Sequence, residues 1–115
     1  LYYAPVSDLR PWARMTNMRD LYIRATNVSD VTPLASMPKL ETLDLTGTAV
    51  SDLTPLAGMM RMKTLYLTHT PVSDLSPLSD MKDVTIFLDE SQQAIIPNEL
   101  RKRVKRIRVT VTKTQ

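Results

Sequence analysis

The chain has 115 residues, a formal charge of +3, no cysteine, one histidine and two glycines. That inventory leaves no thiol chemistry, no thiolate or multi-histidine metal site and no glycine-rich phosphate loop. The charge is divided: residues 1–99 hold eight Lys/Arg and all twelve Asp/Glu, whereas residues 100–115 hold seven Lys/Arg and no acid.

One phrase organises most of the sequence. VSDL at Val6 returns as VSDV at Val28 and as VSDL at Val50 and Val72, each 22 residues after the last. Self-similarity at this period, with leucines at fixed offsets, marks a solenoid in which each repeat is one coil. Leu1 falls on the same position as Ile23, Leu45 and Leu67, so the sequence is expected to open mid-coil, as a piece of a longer protein. Residues 1–88 are read as four repeats, the first truncated. Residues 89–115 are read as a degenerate capping unit.

In chain order, Asp20 to Ile23, Thr42 to Leu45 and Thr64 to Leu67 alternate apolar and polar residues, the period of a short strand. Stacked coil on coil, such strands form a parallel sheet that pairs its own backbone. Thr26, Thr48 and Thr70 follow at one repeat position, where an inward hydroxyl can bond the backbone of the bend and of the next coil. Ala4 stands there in the first copy. Asp8, Asp30, Asp52 and Asp74 come next and are read as shaping the bend through nearby amides, since the repeat itself imposes their alignment. Thr32-Pro33, Thr54-Pro55 and Ser76-Pro77 predict short helical turns with the hydroxyl residue as cap and proline at the first position.

Val28, Val31, Leu34, Met37 and Leu40, with their counterparts 22 and 44 residues on, are the predicted core rows. Methionines 15, 18, 37, 59, 62 and 81 fall into two of those rows, which favours gap-filling in the core over a methionine-lined groove. Trp12 shares the row of Leu34, Leu56 and Leu78 and is expected in the core or plugging its end.

After Phe87 the rhythm fails, with Asp89 in a slot that held Ile or Leu in earlier copies. Asp89 to Gln93 is expected to form a polar loop. Pro97-Asn98 signals a helix start, Leu100, Val104 and Ile107 give one helical face, and Ile107, Val109 and Val111 then alternate as a strand. A closing helix and strand would shield the last core row.

The frame LxLxxTxVSDLxPLxxMxxM, read from Leu43 to Met62, resembles the 22-residue leucine-rich repeat of bacterial internalin-type proteins. The likeness covers residues 1–88, with Thr in place of the family's ladder Asn and Met in place of one Leu. The resemblance implies an α/β repeat solenoid, with a short-stranded parallel sheet on the concave face, short helical turns on the convex side, and a protein-binding surface on the exposed strand face. It implies neither a cofactor nor a metal. It suggests a bacterial source and leaves open whether the protein is cytoplasmic, secreted or delivered to a host.

The residues support such a surface independently. Exposed strand and post-strand positions carry Tyr2, Tyr3, Tyr22, Arg24, Asp44, Thr46, Tyr66, Thr68 and His69, which gathers every tyrosine of the chain on or beside one face. Tyrosine and arginine supply interface anchors, although tyrosine also favours strands for packing alone. The expected contacts are Tyr2, Tyr22, Arg24, Asp44, Thr46, Tyr66, Thr68 and His69.

Arg101, Lys102, Arg103, Lys105, Arg106 and Arg108 are read as the outer face of the cap. Their alternative, contact with nucleic acid or acidic lipid, lacks interleaved aromatics and a large apolar face. His69 near Tyr66 and Asp44 is the best catalytic constellation on offer, and a surface histidine explains it more simply. The expected function is non-enzymatic protein binding. A recognition domain of a larger effector or enzyme, and a basic-surface binder, are the alternatives.

Overall fold

The computed structural model describes residues 7–81, 83–96 and 107–112. Five parallel strands form one sheet in chain order: β1 Asp20–Tyr22, β2 Thr42–Asp44, β3 Thr64–Tyr66, β4 Val84–Asp89 and β5 Ile107–Thr112. Register follows the repeat at first: Leu21 pairs with Leu43, and Leu43 with Leu65. Short 3-10 turns at Arg10–Trp12, Thr32–Ser36, Thr54–Leu56 and Ser76–Leu78 make the return legs, each with proline in its first two positions.

Between sheet and turns lies one continuous apolar core. Leu21, Leu43 and Leu65 from the strands meet Leu34, Leu56 and Leu78 from the turns, all fully buried. Met37, Met59, Met62 and Met81 fill the rows predicted for them, and Trp12 and Met18 pack against the core half-buried. Met15 does not: it is 44% exposed, although its amide bonds the Trp12 carbonyl just as those of Met37, Met59 and Met81 bond Leu34, Leu56 and Leu78.

The bends are built as the sequence suggests, with one exchange of roles. Thr26, Thr48 and Thr70 donate their hydroxyls to the carbonyls of Ile23, Leu45 and Leu67, at 2.8, 2.8 and 2.7 Å. At the turn starts the acceptor is the aspartate and not the hydroxyl residue expected as cap. Asp30, Asp52 and Asp74 accept the amides of Thr32, Thr54 and Ser76 at 2.9 Å, as Asp8 accepts that of Arg10. A carboxylate two residues ahead reaches that amide without bending the chain further.

Ala25, Gly47 and His69 share one repeat position and all adopt left-handed backbone, with φ of 59°, 73° and 59°. Gly47 is the residue suited to it. A Cβ at Gly47 would lie 3.6 Å from the Ala25 backbone, an ordinary contact, so Gly47→Ala is strained only in its dihedrals. The variant is expected to lose about 1 kcal/mol in chemical denaturation. A neutral result would mean this bend relaxes.

The fourth coil departs from the 22-residue count. Thr64, Leu65 and Tyr66 pair with Thr85, Ile86 and Phe87, a spacing of 21. Ile86 and Leu88 therefore take the buried rows, and Asp89 does not sit in a leucine slot as expected. Asp89 ends β4, and Glu90 to Ile95, expected as polar loop followed by apolar touch, form a 3-10 helix. Alternation at Ile107, Val109 and Val111 does become β5, paired with β4 over six residues. The predicted helix from Asn98 and its cations 101–106 lie outside the described residues, as does Tyr2.

Candidate functional site

The outward face of the sheet is laid out by register alone. One row runs Asp20, Thr42, Thr64 and Thr85; the next runs Tyr22, Asp44, Tyr66 and Phe87. Two residues beyond the second row stand Arg24, Thr46, Thr68 and Asp89. Inward rows repeat nearly the same aliphatic residue in every coil; the first outward row keeps threonine in three coils, and the other two outward rows change from coil to coil.

Tyr66 and Phe87 stack face to face, with centroids 4.6 Å apart and planes 8° from parallel. Both are half-buried. Phe87 is absent from the expected contacts because counting 22 from Tyr66 lands on Leu88; the alternation Val84, Ile86, Leu88 carried the signal that Phe87 points outward.

Asp44, expected to be exposed, is 4% exposed. Its Oδ1 accepts the Thr46 amide at 3.0 Å, which draws the short side chain down onto the backbone. Its Oδ2 lies 3.8 Å from an Arg24 nitrogen, and the Arg24 side chain is itself 61% exposed. Thr68, also expected outside, is largely covered; its hydroxyl donates to the Thr46 hydroxyl at 3.3 Å. Tyr22 and Thr46 are half-buried, and Arg24 and His69 are exposed. The structure thus gathers Tyr22, Arg24, Asp44, Thr46, Tyr66 and Thr68 on one face, with Asp44 and Thr68 as floor.

At the fourth coil the bend is closed by side chains. Ala25 and Gly47 donate their amides to the carbonyls of Thr46 and Thr68 in the following coil, at 2.7 and 3.0 Å. His69 has the same amide direction, and Asp89 Oδ2 accepts it at 2.9 Å in place of a carbonyl. Asp89 Oδ1 accepts from the Ser91 hydroxyl and the Gln92 amide. Gln92 stands on the threonine ladder position; its Nε2 donates to Leu67 O, Thr70 O and Thr70 Oγ1, while its Oε1 accepts the Asp89 amide at 2.9 Å.

His69 therefore faces Asp89, with Nδ1 3.7 Å from Oδ2, and not the Asp44 of the constellation considered from sequence. The Ser91 hydroxyl is engaged by the same carboxylate, so these groups form a structural clasp. Among the described residues no group of three or more His, Cys, Asp or Glu is placed to hold a metal ion. An open hollow of about 390 Å³ lined by Glu41, Met60, Arg61, Met62, Lys63 and Asp83 lies beside the strand starts, with Lys63 3.5 Å from Glu41.

Burial pushes the Asp89 carboxyl upward, but hydrogen bonds from Ser91 and the amides of His69 and Gln92 outweigh it and hold it below 3.8. Asp8, Asp30 and Asp52 are lowered by side-chain and backbone donors of Arg10, Thr32 and Thr54, and Asp74 by the amide and hydroxyl of Ser76. Groups depressed in the folded chain stabilise it above their unfolded pKa and lose that contribution as pH falls through the folded value. Stability is expected to be level down to about pH 5 and to fall below about pH 4. Urea midpoints across that range would show it, and an unchanged midpoint at acid pH would contradict these bonds.

The family model described as Leucine Rich repeats (2 copies) matches residues 16–58 and 38–80, together more than half of the chain. No curated protein sequence gives a significant match. Among solved structures, internalin C2 from Listeria monocytogenes superposes with a TM-score of 0.75 at 28% identity, over 94% of this chain and 48% of that one. An internalin, InlF, of the same organism superposes at 0.74 and 21% identity, over 99% of this chain and 35% of that one. The chain spans about half the length of the first and about a third of the second.

Proposed function

The chain belongs to the leucine-rich repeat family, and from that premise we propose that it is a non-catalytic binding module whose protein partner docks on the outward face of the sheet. The observation that carries this reading is the stacked pair Tyr66 and Phe87, half-buried in the middle of that face. A soluble surface keeps such area where a partner removes it from water, and paired rings present a rigid edge at low entropic cost. Tyr22, Arg24, Thr46 and His69 surround the pair or extend its row, and Asp44 and Thr68 form the floor; Tyr2 and Phe87 complete the set we assign. The sequence variety across these rows, against uniform inward rows, gives each coil a separate part in specificity.

The chain immobilised as bait, compared with Tyr22→Ala and Tyr66→Ala, tests the assignment. Each substitution is expected to weaken a partner about tenfold or more, while leaving the thermal midpoint within a few degrees. Neutralising Arg101, Lys102, Arg103, Lys105 and Arg106 together is expected to leave binding within about twofold at physiological salt. If only the second set abolished capture, the basic surface would be the site and nucleic acid or acidic lipid the ligand class. A recognition role inside a larger effector or enzyme would use the same face, and a catalytic domain elsewhere in the full protein would establish it.

A further inference from the structure

The fourth coil is one residue short, and the shortfall leaves a hollow with a charge of its own. Arg61 and Asp83 share one repeat position and the buried Met62 and Val84 the next; Thr64 then pairs with Thr85, so Lys63 has no counterpart. The backbone registers the gap. Arg19 O and Glu41 O each accept two amides from the following coil, whereas Lys63 O accepts, among the described amides, that of Thr85 alone. Asp83, at the join, takes left-handed backbone with φ of 53°. The open hollow of about 390 Å³ lined by Glu41, Met60, Arg61, Met62, Lys63 and Asp83 lies at this place.

The donors around this hollow exceed what its own acceptors take up. Arg61 is exposed and makes no hydrogen bond or ion pair with any described residue. Lys63, 70% exposed, meets Glu41 at 3.5 Å, and the Glu41 side chain is drawn in to 29%. An ammonium so placed keeps further N–H groups for a second acceptor. Asp83 is exposed and pairs with neither cation. Beside them Met60 is 51% exposed, a state that among the described large apolar residues only Met15 shares. Two cations with spare donors next to an apolar wall are the chemistry that takes a carboxylate on a short methylene stem, its oxygens on the donors and its stem against the thioether side chain.

Resting on the reading of the sheet face as the docking surface, we propose that this hollow receives a glutamate or aspartate side chain of the protein partner, held by Arg61 and Lys63. Lys63 directly precedes β3, and Tyr66 ends that strand. At about 3.3 Å per extended residue, Lys63 lies roughly 10 Å along the strand from Tyr66 and its stack with Phe87. An extended partner segment running along the strands therefore carries its acid about three or four positions from the apolar residue that rests on the rings. Asp83 opposes the same carboxylate, so removing its charge sharpens the site.

Selection of a random displayed peptide library on the chain, run in parallel on the double variant Arg61→Glu with Lys63→Glu, tests this. Both side chains are exposed, so the fold is expected to persist; circular dichroism and a thermal midpoint check that. The wild-type chain is expected to enrich peptides with a fixed Glu or Asp at that spacing from an apolar residue, and the double variant to lose that enrichment. For one such peptide, Arg61→Ala and replacement of the acid by glutamine are each expected to weaken binding about fivefold, without adding when combined. Asp83→Asn is expected to tighten it about threefold. Arginine in place of the peptide acid is expected to recover binding to Arg61→Glu. A fixed Lys or Arg whose binding Asp83→Asn weakens would make the hollow a cation site and overturn the assignment. Peptides that need Tyr22 and Tyr66 but carry no fixed acid, or that bind Arg61→Ala equally well, would overturn it too and leave the docking face standing. Peptides indifferent to Tyr22 and Tyr66, or a selection that yields none, would overturn both.

Discussion

Replacing Gln92 with alanine is expected to cost about 3 kcal/mol of folding stability. The side chain is 4% exposed and uses both ends. Its amide nitrogen is shared among Leu67 O, Thr70 O and Thr70 Oγ1, and its oxygen accepts the amide of Asp89. Truncation strands the Thr70 carbonyl and the Asp89 amide in a covered bend, at about 1–3 kcal/mol for each buried group left unpaired. Leu67 O keeps the Thr70 hydroxyl, which limits the loss. Gln92→Glu sharpens the test: one oxygen can still accept from Asp89, but the other meets two carbonyls beside the Asp89 carboxylate. That variant is expected to be as unstable as the alanine at pH 7 and to recover part of the loss near pH 4, where a carboxyl can donate again. Urea denaturation at the two pH values measures both. A loss below about 1 kcal/mol for Gln92→Ala would show that water replaces the amide in the bend.

The same residues show how far the sequence was readable. The 22-residue period, the strand positions and the apolar rows could be read directly, because burial repeats one residue type in each coil and repetition averages away local accidents. Where a single coil changes its count, the averaging works against the reader. Loss of one residue ahead of β4 moves Ile86, Phe87 and Leu88 one place, and the return at Gln92 restores the count, so a strict 22-residue count puts Asp89 in the slot of Leu67 and Phe87 in the inward slot of Leu65. Outward residues were legible as a face but not in depth. Alternation says that Asp44 points out; only the hydrogen bond to the Thr46 amide says that it lies flat and becomes a floor. The role of Asp89 as a substitute for a carbonyl in the amide series of Ala25, Gly47 and His69 has no linear signal, since it is defined by a partner twenty residues away.

Leu43→Ala is expected to destabilise by about 3–4 kcal/mol, as is Leu65→Ala, since both are fully buried and each deletion leaves a cavity. In a repeat stack the loss is not confined to one coil. Leu43 lies between Leu21 and Leu65 in register, so its removal thins two inter-coil contacts, and stability here is a sum of such neighbour terms. Against a total of the order of 5–15 kcal/mol, one deletion brings the stack near its limit. Because Leu43 and Leu65 touch the same cavity, the double variant is expected to lose about 0.5–1 kcal/mol less than the two singles together, the second deletion enlarging a void already open. Met59→Leu, a volume-conserving change in an adjacent row, is expected to stay within about 1.5 kcal/mol of the parent and serves as the packing control. Denaturant midpoints of the three leucine variants measure the coupling. Strict additivity would mean that neighbouring coils relax independently of one another.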